Sequence, residues 1–141
     1  MLRRMGSDVI GEVTVKEKTW CYFKLIIHPD PIIFEESNNS KHLLARYDAI
    51  EIDVVTWRTL IIKSLSKLYG LIGEASPFEI IKTENQSLNK TMILKIQLQD
   101  KDKFNNSLMS YTFNLNEYYN DLDLNCNIRI VKTENYIGLV I

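Results

Sequence analysis

Cysteine, histidine, proline and glycine are all scarce in this chain: two, two, three and five among 141 residues. Cys21 and Cys126 lie in strand-like segments, and two buried thiols are expected rather than a bridge. His28 and His42 have no nucleophile motif around them and no third ligand in pattern, so neither a catalytic nor a metal role is expected. No excess of either charge exists, since 17 basic residues face 18 acidic ones for a formal net charge of -1. A global field that draws in nucleic acid is thereby excluded, and any RNA contact must be local or arranged by partners. Long apolar runs are missing too: none approaches the roughly 20 residues needed to span a bilayer, and no membrane contact is expected. Arg3 and Arg4 lead into Gly6, Ser7, Asp8 and Glu12 rather than an apolar stretch, so a secretory leader is not expected. Without that context the Asn-x-Ser/Thr triplets at Asn38, Asn85, Asn89 and Asn105 read as coincidence in an Asn-rich chain.

The remaining chemical motifs also fall short. The acid pairs Glu35-Glu36, Asp100-x-Asp102 and Asp121-x-Asp123 lack the glycine and closing glutamate of a calcium loop, and caps or solvated turns explain them. Gly70-Leu71-Ile72-Gly73-Glu74 follows a helix instead of opening one and has no Gly-Lys-Ser/Thr, so it is not a phosphate loop; a helix C-cap at Gly70 suffices. No cofactor is expected.

What is present is apolar periodicity: 45% of the residues are hydrophobic, enough for one core. Residues 1–18 have no period and are expected to form a ragged start, with one domain over 19–141. Trp20 to His28 is aromatic and β-branched, closed by Pro29 and Pro31, and reads as a strand. Residues 29–52 carry turn signals and then a short apolar stretch, which predicts a surface insertion in the form of a loop with one helical turn. Asp53 can cap a helix whose apolar stripe is Val54, Trp57, Ile61, Leu65 and Leu68, ending at Gly70, with Trp57 as a core anchor. Phe78–Thr83 and Thr91–Leu98 predict a hairpin around ENQSLN. Asp100 or Asp102 can cap a second helix with Phe104, Leu108, Tyr111 and Leu115 on one stripe, followed by a polar loop from Glu117 to Asn125. Asn127–Thr133, with Ile128, Ile130 and Lys132 assigned to one face, and then Tyr136–Ile141 predict two closing strands. Two helices separated by a hairpin, with strands outside, is the ferredoxin-like split βαβ arrangement: an α+β sandwich with both helices on one face of an antiparallel sheet.

If such a sheet stacked RNA bases, its third strand would carry aromatic residues at its centre, and KTMILKIQLQ has none. Tyr22 and Phe23 point to opposite faces, so at most one of them faces away from the helices. Lys63 and Lys67 on the first helix, and Lys95, Lys101 and Lys103 near the second, are either a solvated face or phosphate contacts.

Four motifs in register go further than any one of them: Trp20-x-Tyr22-Phe23-Lys24-Leu25; Thr56-Trp57-Arg58; Tyr69-Gly70-x-x-Gly73-Glu74; and Asp100-Lys101-Asp102-x-Phe104 with Ser107, Ser110 and Tyr111. Together they resemble the eighth "processing of precursors" subunit of yeast nuclear ribonuclease P and ribonuclease MRP. The likeness covers about half the chain, and residues 29–52 look longer than that family's connection. The resemblance implies a ferredoxin-like, non-catalytic accessory subunit of a ribonucleoprotein endoribonuclease whose catalyst is RNA. It further implies a heterodimer with a related larger subunit of the same fold, other ribonuclease P/MRP proteins as neighbours and mostly indirect contact with the catalytic RNA. Removal of the 5′ leader of precursor tRNA, processing of precursor rRNA, and a nuclear and nucleolar location are implied as well. By pseudo-symmetry with related domains, the partner interface falls on Gly70, Leu71, Ile72, Gly73 and Glu74. RNA contacts, if direct, would come from Arg58, Lys63, Lys67, Lys101 and Lys103. Two other readings stay open on the residues alone: an independent RNA-binding module of the same fold, and a metabolite-binding regulatory domain.

Overall fold

A computed structural model describes residues 19–141, and the expected ragged segment over 1–18 lies outside the described residues. The first strand, β1 (Trp20–Pro29), forms where predicted: Cys21, Phe23, Leu25 and Ile27 alternate into the main core while the even-numbered residues face the other way. Two helices follow, α1 (Asn38–Ala49) and α2 (Val54–Glu74). The hairpin is β2 (Phe78–Gln86) and β3 (Asn89–Gln97). Helix α3 (Lys101–Ser110), a short strand β4 (Thr112–Asn114) and the long β5 (Asn125–Glu134) complete the frame. The sheet runs β2-β3-β1-β5-β4 with every neighbouring pair antiparallel. The units β1-α2-β2 and β3-α3-β5 therefore interleave, which is the ferredoxin-like order.

The core lies between the sheet and the helices. Trp57, Leu60, Ile61 and Leu65 of α2 and Phe104 and Leu108 of α3 meet the odd-numbered side chains of β1 and Met92, Leu94 and Ile96 of β3, all buried. Asp53 caps α2 as predicted, its Oδ1 accepting from the Thr56 N–H at 2.8 Å. That bond holds the Asp53 carboxyl below its ordinary value. Trp57 is fully buried, as a core anchor should be, and both thiols are free and buried.

Several sequence expectations need correction. The 29–52 segment is no loop: it holds a 3-10 turn (Pro31–Phe34) and the 12-residue α1, capped by Ser37, whose Oγ accepts from the Ser40 N–H at 3.1 Å. Helix α1 is welded to the hairpin. Lys90, buried on β3, donates its ammonium hydrogens to the carbonyls of Ile50 at 2.9 Å and Asp48 at 3.3 Å, closing the C-terminal end of α1 where helix carbonyls lack partners. The Asn85 amide exchanges two hydrogen bonds with the backbone of Ile52, and the Ser87 hydroxyl donates to Asp48 Oδ1 at 2.6 Å. Ser87 takes a φ of 57°, the positive value that the first residue of a two-residue hairpin turn requires.

Helix α3 ends at Ser110, so Leu115 is buried from a 3-10 turn (Leu115–Glu117) rather than from the helical stripe. The expected polar loop after it buries Leu122 and Leu124. Tyr136–Ile141 is not a strand. It contains a 3-10 turn (Ile137–Leu139), and Val140 is buried with Tyr22 and Ile93 on the face of the sheet away from the helices. Lys132 also changes face: pairing jumps from Leu25↔Ile130 to Lys24↔Lys132, so Val131 is an extra residue in β5 and Lys132 joins Arg129 on the open side.

Candidate functional site

Gly70 interrupts α2 with φ 63° and ψ -145°, a combination open to glycine and closed to residues with a Cβ. The chain then makes one more turn that folds back on the helix. Gly73 is buried in this turn, and a Cβ there would stand 2.4 Å from the Leu65 carbonyl oxygen. The Ser66 hydroxyl donates to Glu74 Oε2 at 2.7 Å and the Ala75 N–H to the Leu71 carbonyl at 3.1 Å, locking the turn shut. As a result Leu71 and Ile72 project into solvent at 80% and 75% exposure, flanked by the half-exposed Leu68 and Tyr69. Four adjacent apolar side chains on a rigid, doubly glycine-dependent turn form an apolar knob.

The helix-borne cations are mostly engaged. Lys63 binds Glu117 Oε1 at 3.3 Å and lies 5.5 Å from the Tyr118 ring centroid, and the Glu117 bond pushes its pKa up. Arg58 covers the Phe78 ring at 5.3 Å. Lys103 donates to Ser76 Oγ at 2.9 Å and sits 3.7 Å from Asp100, whose side chain makes no cap bond to α3. Lys67 and Lys101 are exposed. These five residues are not gathered into one bonded cluster, and Lys63 and Arg58 rest on aromatic rings of different elements.

The open face of the sheet divides in two. At one end Trp20, Tyr22, Ile81 and Ile93 pack with Val140, and Lys95 lies 4.2 Å from the Trp20 ring centroid. Next to this patch, from the Lys24–Ile93 pair onward, lie Lys24, Ile26, His28, Arg129 and Lys132. Among the described residues no group of three or more His, Cys, Asp or Glu side chains is arranged to hold a metal ion.

The family model for the ribonucleases P/MRP protein subunit Pop8 matches residues 19–111, which run from β1 to the end of α3 and include the knob. The chain belongs to this family. The resemblance seen in the four sequence motifs is thereby borne out. Among curated proteins, the ribonucleases P/MRP protein subunit POP8 of Saccharomyces cerevisiae is 28% identical over 102 residues, which cover 72% of this chain and 63% of that protein. The chain thus spans less than two thirds of that relative's length. A chain in the cryo-EM structure of yeast ribonuclease MRP superposes with a TM-score of 0.60 at 22% identity, covering 86% of this chain and 78% of that one. At this identity the likeness speaks to the fold, which it supports through most of the described residues.

The turn Gly70–Glu74 that the sequence singles out carries the knob, whereas the arrangement on the open face has no counterpart in the sequence reading. The β5 bulge that brings Lys132 beside Lys24 leaves no periodic trace in a ten-residue strand.

Proposed function

We propose that this Pop8-family protein is a non-catalytic subunit of ribonuclease P and ribonuclease MRP, held in the particle through the apolar knob at Leu71 and Ile72. The observation that carries this reading is the family match over residues 19–111. The knob supports it: exposed apolar side chains on a turn that two glycines fix in shape are suited to a preformed partner surface, with little ordering cost on association. The partner is a related, larger ferredoxin-like subunit, and the protein acts on assembly and stability of the particle. Its contribution to 5′-leader removal from precursor tRNA and to precursor rRNA processing is indirect, through that assembly. Its location is the nucleus and nucleolus.

The test is purification of the tagged full chain from its native cells at moderate salt, with co-purifying RNA and proteins identified and precursor-tRNA cleavage assayed. Recovery of a ribonuclease P or MRP RNA with leader-trimming activity is the expected result. A chain recovered with neither RNA nor a ferredoxin-like partner overturns the proposal.

A further inference from the structure

Across the middle of the open face one cross-strand row reads Lys82, Ile93, Lys24, Lys132, on β2, β3, β1 and β5 in turn. Lys24 and Lys132 stand directly opposite each other, and like charges in that relation oppose strand pairing. No carboxylate separates them. Acids of this face lie nearby, but none forms an ion pair with Lys24 or Lys132 among the described residues: Glu84, in the same depression as Lys24, pairs with Lys82 at 3.2 Å, Glu79 is opposite Lys95, and Glu134, two residues along from Lys132, is opposite Tyr22. Among the described residues Lys24 has no ion-pair partner, and Lys132 has only the Leu139 carbonyl at 3.4 Å. Two residues along β1, Ile26 lies opposite Arg129, whose side chain among the described residues has one polar partner, the His28 imidazole, with Nη2 3.3 Å from Nε2. A local rule is broken here with no ion pair to offset it among the described residues, which is the mark of a surface shaped by what it binds.

We infer that Lys24, Arg129 and Lys132 form a contact surface for the phosphate backbone of single-stranded RNA. Alternate residues on a strand are about 6.6 Å apart, so the two rows present their cations as a ladder that an extended polyanion can follow. The contact is with phosphates rather than bases, because the aromatic residues on the strands of this face are already used: Val140 covers Tyr22 and Lys95 covers Trp20. An acidic peptide is a weaker fit. Both edges of β1 are paired, to β3 and β5, so a peptide could not add as a strand beside these cations and would depend on side chains alone. The contact rests on the proposed membership of an RNA-containing particle and specifies where this chain meets the RNA.

The experiment titrates the purified full chain with a uridine 20-mer between about 50 and 200 mM salt, with a polyglutamate of equal charge as competitor. Substitution K24Q/R129Q/K132Q is expected to reduce affinity ~10-fold or more at the low end of that range and to lower the salt slope by about 2, since each phosphate contact on a single strand contributes about 0.7. The substitution K63Q/K67Q/K101Q on the helices is expected to leave both unchanged. Melting of the sheet triple variant should be no lower than that of the parent, because a like-charge pair has been removed. The inference is overturned if the parent does not bind the 20-mer, if the sheet variant binds as tightly as the parent, or if polyglutamate displaces RNA at equal charge concentration. Parallel purification of both chains from cells separates the two claims. Particle RNA recovered with an unaltered RNA affinity of the variant sinks this surface alone, whereas loss of the particle from both chains sinks the assignment to it.

Discussion

At the scale of single residues, burial dominates polar pairing. Trp57 is fully buried although its indole N–H has no acceptor among the described residues. The unmade hydrogen bond costs about 1–3 kcal/mol, while covering 150–250 Å² of ring surface contributes roughly 4–6 kcal/mol at about 25 cal/mol per Å². Burial also governs the thiol of Cys126, whose pKa is pushed up to about 12 from an ordinary 9.0 by desolvation first and the nearby Asp30 carboxylate second. The thiol thus keeps its proton in the fold at a pH where the unfolded chain would release it. Its stabilising contribution is complete below pH 9 and is lost as the pH rises from about 9 towards 12, by up to about 1.4 kcal/mol per pH unit. Tyr47, Tyr111 and Tyr119 are raised by burial and act in the same sense above their ordinary value of 10.0. Lys90 is lowered by burial and acts in the opposite sense, relieving part of the loss as the pH approaches 10.5. Urea unfolding followed from pH 8 to 10 should show falling stability, and C126A should flatten the fall even though it lowers stability at pH 7. An equal slope in parent and variant would assign the pH dependence to other groups.

At the scale of elements, what could be read from the sequence tracks how local its cause is. Helix α2 was legible because an Asp53 cap, a 3-4 spaced stripe and a glycine all lie within it. Helix α1 was not, since its buried positions are only Ser40, Leu43 and Tyr47 and its end is closed by Lys90 from another strand. The Ser37 cap and the Leu43–Tyr47 spacing were the available signals, masked by the polar residues around them. The knob lies between these extremes: Gly70 and Gly73 are visible in sequence, but the fold-back that exposes Leu71 is not. Two kinds of substitution should therefore separate shape from contact. G70A forces a Cβ into a glycine-only conformation and should cost about 1–3 kcal/mol of stability and weaken retention of the ferredoxin-like partner. L71S/I72S removes exposed groups, so stability should change by no more than about 0.5 kcal/mol, while partner retention in the same purification falls at least as far. If the serine variant keeps its partner fully, the interface lies elsewhere on the molecule.

At the scale of the whole molecule, the expected ferredoxin-like topology is realised, and the difference that bears on nucleic-acid contact concerns the open face of the sheet. An uninterrupted apolar run such as Tyr136–Ile141 has no period, so strand and covering segment look alike in sequence. Here it is the covering segment: Val140 is fully buried on Tyr22 and Ile93, while Tyr136, Leu139 and Ile141 remain exposed. The segment decides how the face can meet a nucleic acid. With Val140 in place the Tyr22 ring is covered, the strands beside it offer cations, and binding follows charge. Removing residues 136–141 should cost about 1.5–3 kcal/mol, the worth of one buried aliphatic side chain, and it should uncover Tyr22. An exposed Tyr22 beside Lys24 can then stack a base, a contact of about 1–3 kcal/mol. The truncated chain should accordingly bind the uridine 20-mer more tightly than the parent with the same salt slope, because Lys24, Arg129 and Lys132 all remain and Lys132 loses only its bond to the neutral Leu139 carbonyl. A further Y22A substitution should return the affinity to the parental value. Tighter binding that survives Y22A would mean that the segment shields the cations rather than the ring, and the slope would then rise with the truncation.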